Sequence, residues 1–233
     1  MKTLKKGAIA LASIGLTIGL AGCGNEATKS SSSDDKDKPT VTDILNADKE
    51  RQIIMTEDTG NTDNLEVRWA GVIGKGKLDA HPYYFLDNID FNHFKNLSMK
   101  DFKEKLKKED KEYESLNDDG EPMKINYGPR KAGTQLGGYE GDKTAKKVKF
   151  DVSDSKLGNE EDTSAITETK YSEISDEHPA GWLAIKPEGY EDEDSSITLF
   201  IKSEKGEKAL SMEDIKKAKK SYDNVKFINL ENK

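Results

Sequence analysis

A single cysteine in 233 residues is what most constrains the fold this chain can adopt. Cys23 has no partner, so no disulfide framework is available and any folded part must be held by packing alone. The material for packing is modest. The chain is 35% charged and 33% hydrophobic, wetter than an average globular protein. It still carries Trp69, Trp182, seven phenylalanines and eight tyrosines. A domain of about 190 residues can bury a thin core from these.

The position of the cysteine carries as much information as its solitude. Lys2, Lys5 and Lys6 make a positively charged start, and Ala8 to Leu20 is apolar with small residues mixed in. Leu20-Ala21-Gly22 then places small side chains just before Cys23. Charge, apolar run and small-residue exit make a secretory signal over residues 1–22. The run is too short and glycine-rich for a membrane span, which needs about 20 apolar residues.

Leu20-Ala21-Gly22-Cys23 resembles the lipobox of bacterial lipoproteins. The resemblance covers residues 1–23 only. It implies a diacylglyceryl group on the Cys23 sulfur and cleavage before Cys23, which becomes the first mature residue. The expected location is the cell membrane, lipid-anchored and facing the extracellular side. Two acyl chains make attachment stable where one gives only marginal binding.

Loss of residues 1–22 removes three lysines and no acids, so the formal charge moves from −8 to −11. Such a surface repels phosphate backbones, and no nucleic-acid partner is expected. Arginine occurs only at Arg51, Arg68 and Arg130. That lysine bias is associated with Gram-positive bacteria of low GC content.

Residues 23–42 read as the lipidated cysteine and a tether, with four serines at 30–33 followed by Asp34-Asp35-Lys36-Asp37-Lys38-Pro39. Almost nothing in it is apolar, so it cannot offset its ordering entropy. Residues 43–233 are the expected extracellular domain, with subdomains at about 43–120 and 145–233 as one division. Leu65, Val67, Trp69, Gly71 and Ile73 alternate with polar or small residues and predict a strand. Ile53–Thr56 precedes it across a turn-rich stretch, predicting a hairpin. Val148–Val152, Trp182–Ile185, Ile197–Ile201 and Val225–Leu230 are further strands. Ser98 caps one expected helix, with Met99, Phe102 and Leu106 on its apolar side, and Ser211 caps a second, with Met212, Ile215 and Tyr222. Residues 109–147 read as polar, glycine-rich loop. The fold class is α+β, mostly antiparallel strands with two amphipathic helices.

Ser98-Met99-Lys100-Asp101 resembles Ser211-Met212-Glu213-Asp214, and His81-Pro82 resembles His178-Pro179 in the same order. Two degenerate copies of one small module would explain this. So would the shared chemistry of helix starts, which is favoured because the matches are short.

No catalytic residue is assigned. Gly-x-Ser-x-Gly and His-Glu-x-x-His are both absent from the sequence, and Cys23 is consumed by lipid. Gly141-Asp142-Lys143-Thr144 lacks the glycine a phosphate loop needs before its lysine, so no cofactor is expected. No metal site is assigned either. His81 beside Asp79, and His178 beside Asp176 and Glu177, are candidate transition-metal ligands if the fold joins them, against the commoner reading of surface His-Pro turns. Acidic stretches 58–64, 117–121 and 191–194 lack the spacing of a calcium loop. The function expected is that of a lipid-anchored surface lipoprotein that binds an envelope protein or ligand without catalysis. The alternatives are a solute-binding lipoprotein of an importer, or an extracellular enzyme without a recognisable motif.

Overall fold

The computed structural model describes residues 38–58, 65–83, 86, 89–115, 127–152, 173–175, 179–186 and 196–232. Cys23, Leu20, Ala21, Gly22 and His178 lie outside them, as do residues 59–64, 117–121 and 191–194 of the acidic stretches. Residues 32–233 form one compact unit.

The fold is α+β, as the sequence predicts. The described residues hold three α-helices and nine strands. In chain order these are α1 (Val41–Asn46), β1 (Arg51–Asp58), β2 (Glu66–Gly74), β3 (Lys77–Pro82), α2 (Met99–Glu114), β4 (Arg130–Gly138), β5 (Lys147–Val152), β6 (Glu173–Ser175), β7 (Trp182–Lys186), β8 (Ser196–Lys202), α3 (Ile215–Ser221) and β9 (Val225–Asn229). The strand order is β5-β4-β3-β2-β1-β8-β7-β6, and β9 pairs with β4. Every pairing is antiparallel except β4–β9. Among the described residues no helix is long and apolar enough to cross a membrane.

The predicted hairpin forms, with Ile53 opposite Gly71 and Met55 opposite Trp69. The other side of β1 pairs with β8, Ile53 opposite Ile201. The two halves of the chain therefore share one sheet, and residues 43–120 and 145–233 are not separate subdomains. The module repeat fails for a related reason. His81-Pro82 closes β3, the third strand of its meander, whereas Pro179 precedes β7, the second of the other.

The fold starts before residue 43, because Val41 and Thr42 are both buried. Thr40 opens α1 with a capping box. The Asp43 amide donates to Thr40 Oγ1 at 3.1 Å, and the Thr40 amide donates to Asp43 Oδ2 at 3.2 Å. Two orphan amides are thereby satisfied. Thr40→Ala is expected to cost about 1 kcal/mol, read as a lower urea midpoint at unchanged slope; an unchanged midpoint would show the cap to be idle.

Ser98 caps α2 as predicted, accepting from the Asp101 amide at 3.2 Å. Ser211 does not cap the last helix. That role falls to Asp214, whose Oδ1 accepts from the Lys217 amide at 2.8 Å. The Ser211–Asp214 stretch is instead tied down by its backbone, Ser211 donating to the Pro39 carbonyl and Ala145 donating to the Glu213 carbonyl. Pairing with distant chain there leaves only a seven-residue α3.

β4 runs through what the sequence presents as loop. Its glycines conceal it from an alternation test, but they are there for contact. A Cβ at Gly133 would lie 2.2 Å from the Asn224 carbonyl oxygen. Glycine lets the backbone leading into β9 approach β4 closely.

Two layers enclose the sheet. On one face, α1 packs on β2, β3 and β4. On the other lie Phe91, Phe94, Phe102 and Leu106, all buried, from the segment that ends in α2. Gln52 of β1 ties this layer down by donating to the Leu97 carbonyl at 2.8 Å. Cover on both faces explains why β2 alternates only at its start and is buried throughout from Trp69 onward.

Candidate functional site

The β2–β3 connection is a two-residue turn, Lys75-Gly76, with φ of +57° and +64°. Positive φ at both positions is the hairpin geometry that suits twisted strands. The turn is held from outside, since the Lys75 and Gly76 amides donate to the Ala47 and Leu45 carbonyls at 2.8 Å each. β3 then places Lys77, Asp79 and His81 on one face by its period of two. α2 crosses this face with Lys103, Leu106, Lys107 and Asp110 at helical spacing. Between hairpin and helix lies a cleft of about 370 Å³, lined by Glu50, Lys75, Lys77, Lys103 and Lys107 around a floor that includes Asp79 and His81.

His81 is 6% exposed and clamped between acids. Its Nδ1 faces Asp110 Oδ1 at 2.9 Å and Oδ2 at 3.1 Å. Its Nε2 lies 3.2 Å from Asp79 Oδ1, an ion contact without aligned hydrogen-bond geometry. The ring stacks on Tyr127 at 4.9 Å and 9°. Burial by itself would lower the imidazole pKa, but its close contacts with the Asp110 and Asp79 carboxylates outweigh it and raise the group to about 9. Asp110 also accepts from the Tyr83 hydroxyl at 2.9 Å. Burial, then the Asp110 charge, pushes that phenol far above its ordinary value, so it stays protonated.

An imidazolium with both nitrogens turned to carboxylates has no lone pair to give. As placed, His81 is neither a metal ligand nor a general base. The candidate pair of His81 with Asp79 is brought together, but as an ion contact. His178, Asp176 and Glu177 lie outside the described residues. His93 sits in the short 3-10 turn Phe91–His93, where its Nδ1 accepts from the Asp90 amide at 3.2 Å. Among the described residues no group of three or more His, Cys, Asp or Glu side chains is arranged to hold a metal ion.

Around this floor the rim is cationic. Glu50 takes Lys103 at 2.7 Å and Lys75 at 3.3 Å. The Lys103 hydrogen bond, against a smaller effect of burial, holds the Glu50 carboxyl below its usual range. The sequence carried a signal for this cleft in the Lys77/Asp79/His81 alternation and the Lys103/Lys107 spacing. Their convergence depends on α2 lying across β3.

Compared with known proteins, the chain matches no family model, no curated protein and no solved structure.

Proposed function

We propose that the protein is a surface lipoprotein, held to the outer face of the cell membrane by a diacylglyceryl group on Cys23, whose domain works by binding. The observation that carries the binding role is the α2–hairpin cleft. It offers concentrated positive charge over a floor whose one imidazole is locked as a cation. Charge of that kind attracts a ligand, while a general base would need a free lone pair. The anchor rests on the lysine start, apolar run and Leu20-Ala21-Gly22-Cys23. Among the described residues β1 and β8 from opposite halves are neighbours in one sheet. That arrangement counts against the two lobes of an importer's solute receptor.

Cys23→Ser tests the anchor. Expressed in a Gram-positive host, the parent should sediment with membranes and the variant should appear in the culture medium. A variant that stays in the membrane pellet to the same extent would overturn the anchoring reading.

A further inference from the structure

Resting on the anchor proposed above for the nearness of a bilayer, we infer that the face formed by α3, with Met212 and Phe227 on either side of it, docks the domain onto anionic lipid headgroups. In α3 the buried residues are Ile215 and Ala218, three apart, and Lys216, Lys217, Lys219 and Lys220 are exposed. No acid falls between Ile215 and Ser221. α2 is different, since its lysines are matched by as many acids and two of its pairs, Lys100–Glu104 and Lys105–Glu109, are in contact.

The exposed large apolar side chains gather at the same place. Among the described residues these are Tyr139, Met212 and Phe227. Lys219 Nζ lies 6.0 Å from the centre of the Phe227 ring. Met212 and Lys217 line one side of a cleft of about 480 Å³. Tyr139 follows Gly138, where a Cβ would lie 3.3 Å from Ile215 and 3.4 Å from Phe227. A surface of lysines interleaved with aromatic and apolar groups is the composition that rests in a headgroup layer.

The chain reaches this face from the anchor side. Lys38 and Pro39 line the same cleft as Met212, and the Ser211 amide donates to the Pro39 carbonyl at 2.9 Å. Cys23 stands fifteen residues before Lys38, at most about 50 Å of extended chain. A lipid on Cys23 therefore keeps α3 within reach of the bilayer.

The overall acidity of the protein does not oppose this contact. At physiological salt, charges more than about 8 Å from a headgroup are largely screened, so the local balance decides. Of the acids closest to α3, Glu213 is buried and takes the Thr42 amide at 2.7 Å, Asp43 takes the Tyr222 hydroxyl at 2.8 Å, and Asp214 caps the helix. Glu140 and Asp223 are exposed at the margin, against four lysines on the helix itself. Lysines close to an anionic leaflet are attracted to it. α3 shares its cleft with Thr40 and Asp43 of the α1 layer, while α2 lies across the sheet, so docking leaves the α2–hairpin cleft turned away from the bilayer.

The test uses the full-length chain with Cys23→Ser, which has no sulfur to lipidate, and one added thiol carrying the environment-sensitive fluorophore NBD. Ser221→Cys reports from the end of α3, and Glu104→Cys reports from α2. Vesicles are phosphatidylcholine alone or an equal mixture with phosphatidylglycerol. A saturable blue shift at residue 221 with the mixed vesicles, absent with phosphatidylcholine and absent at residue 104, supports docking. Apparent affinity should fall at least about tenfold in Lys216→Gln/Lys220→Gln and stay unchanged in Lys107→Gln/Lys111→Gln. No shift at residue 221, equal shifts at both residues, or equal affinity in the two lysine variants would overturn it. So would a saturable response to soluble polyphosphate with none to vesicles, which assigns the patch to an anionic polymer. Matching thermal midpoints confirm that the variants fold. Sedimentation of the parent with membranes is scored separately, so loss of the anchor reading and loss of the docking surface are told apart.

Discussion

Asp110→Ala is expected to destabilise the domain by about 3–5 kcal/mol, the range for breaking a buried ion pair from one side. The carboxylate holds His81 Nδ1 at 2.9 Å and also accepts the Tyr83 hydroxyl at 2.9 Å. Its removal leaves a buried cation facing Asp79 alone and a buried phenol that keeps only the Leu106 carbonyl, 3.1 Å away. Urea unfolding followed by tryptophan fluorescence reads the loss. A shift under 1 kcal/mol would mean that water enters and replaces the carboxylate.

The same network fixes a pH dependence. The His81 pKa is raised from 6.5 unfolded to about 9 folded. Its contribution is therefore fully present below pH 6.5 and is lost as pH rises through 9, the unfolded chain releasing its proton first. A shift of this size corresponds to on the order of 3 kcal/mol. The groups packed around the ring are Asp79 of β3, Asp110 of α2 and the Tyr127 phenol. Burial raises that phenol's pKa, so it remains neutral across this window. Stability measured at pH 6 should exceed that at pH 9.5, and in Asp110→Asn the decline should begin at lower pH. A flat profile for the parent would refute the charged state of His81.

Trp182→Ala carries the second large expected loss, again about 3–5 kcal/mol. Trp182 is 1% exposed and pins the segment before α2 to the sheet. Its ring meets Phe91 edge-on at 5.1 Å, and Lys202 Nζ lies 4.6 Å above it. Its indole Nε1 donates to the Lys95 carbonyl at 3.2 Å, an acceptor shared with Lys202 Nζ at 2.9 Å. Trp182→Phe keeps most of the volume and loses the hydrogen bond, so it should recover more than half of the stability lost in Trp182→Ala. Equal losses for the two variants would show that the hydrogen bond, and not packing, holds that layer.

Much of the fold is legible in the chain because strands and helices with one wet face write a period into the sequence. β2 begins with such an alternation, β5 and β8 show it too, and α2 shows Ser98 followed by Met99, Phe102 and Leu106. β4 is not legible. Its Gly133 answers to the backbone of Asn224, about ninety residues later in the chain, and no local pattern can report that approach. The misplaced cap of α3 has a similar origin. Ser211 and Asp214 are both acceptable caps locally, and long-range pairing of Ser211 with Pro39 decides between them.

The sequence by itself determined the absence of disulfides, the mixed class of the domain, most of its strands and the helix after Ser98. These follow from composition and from periods that repeat within a dozen residues. Tertiary structure alone decided that both halves share one sheet, that His81 is a buried cation between Asp79 and Asp110, and that Lys75, Lys77, Lys103 and Lys107 surround one cleft. The physical reason is distance along the chain. The energy of an ion pair or a cross-strand neighbour depends on separations in space, and residues 81 and 110, or 77 and 131, become neighbours only after the layers have packed.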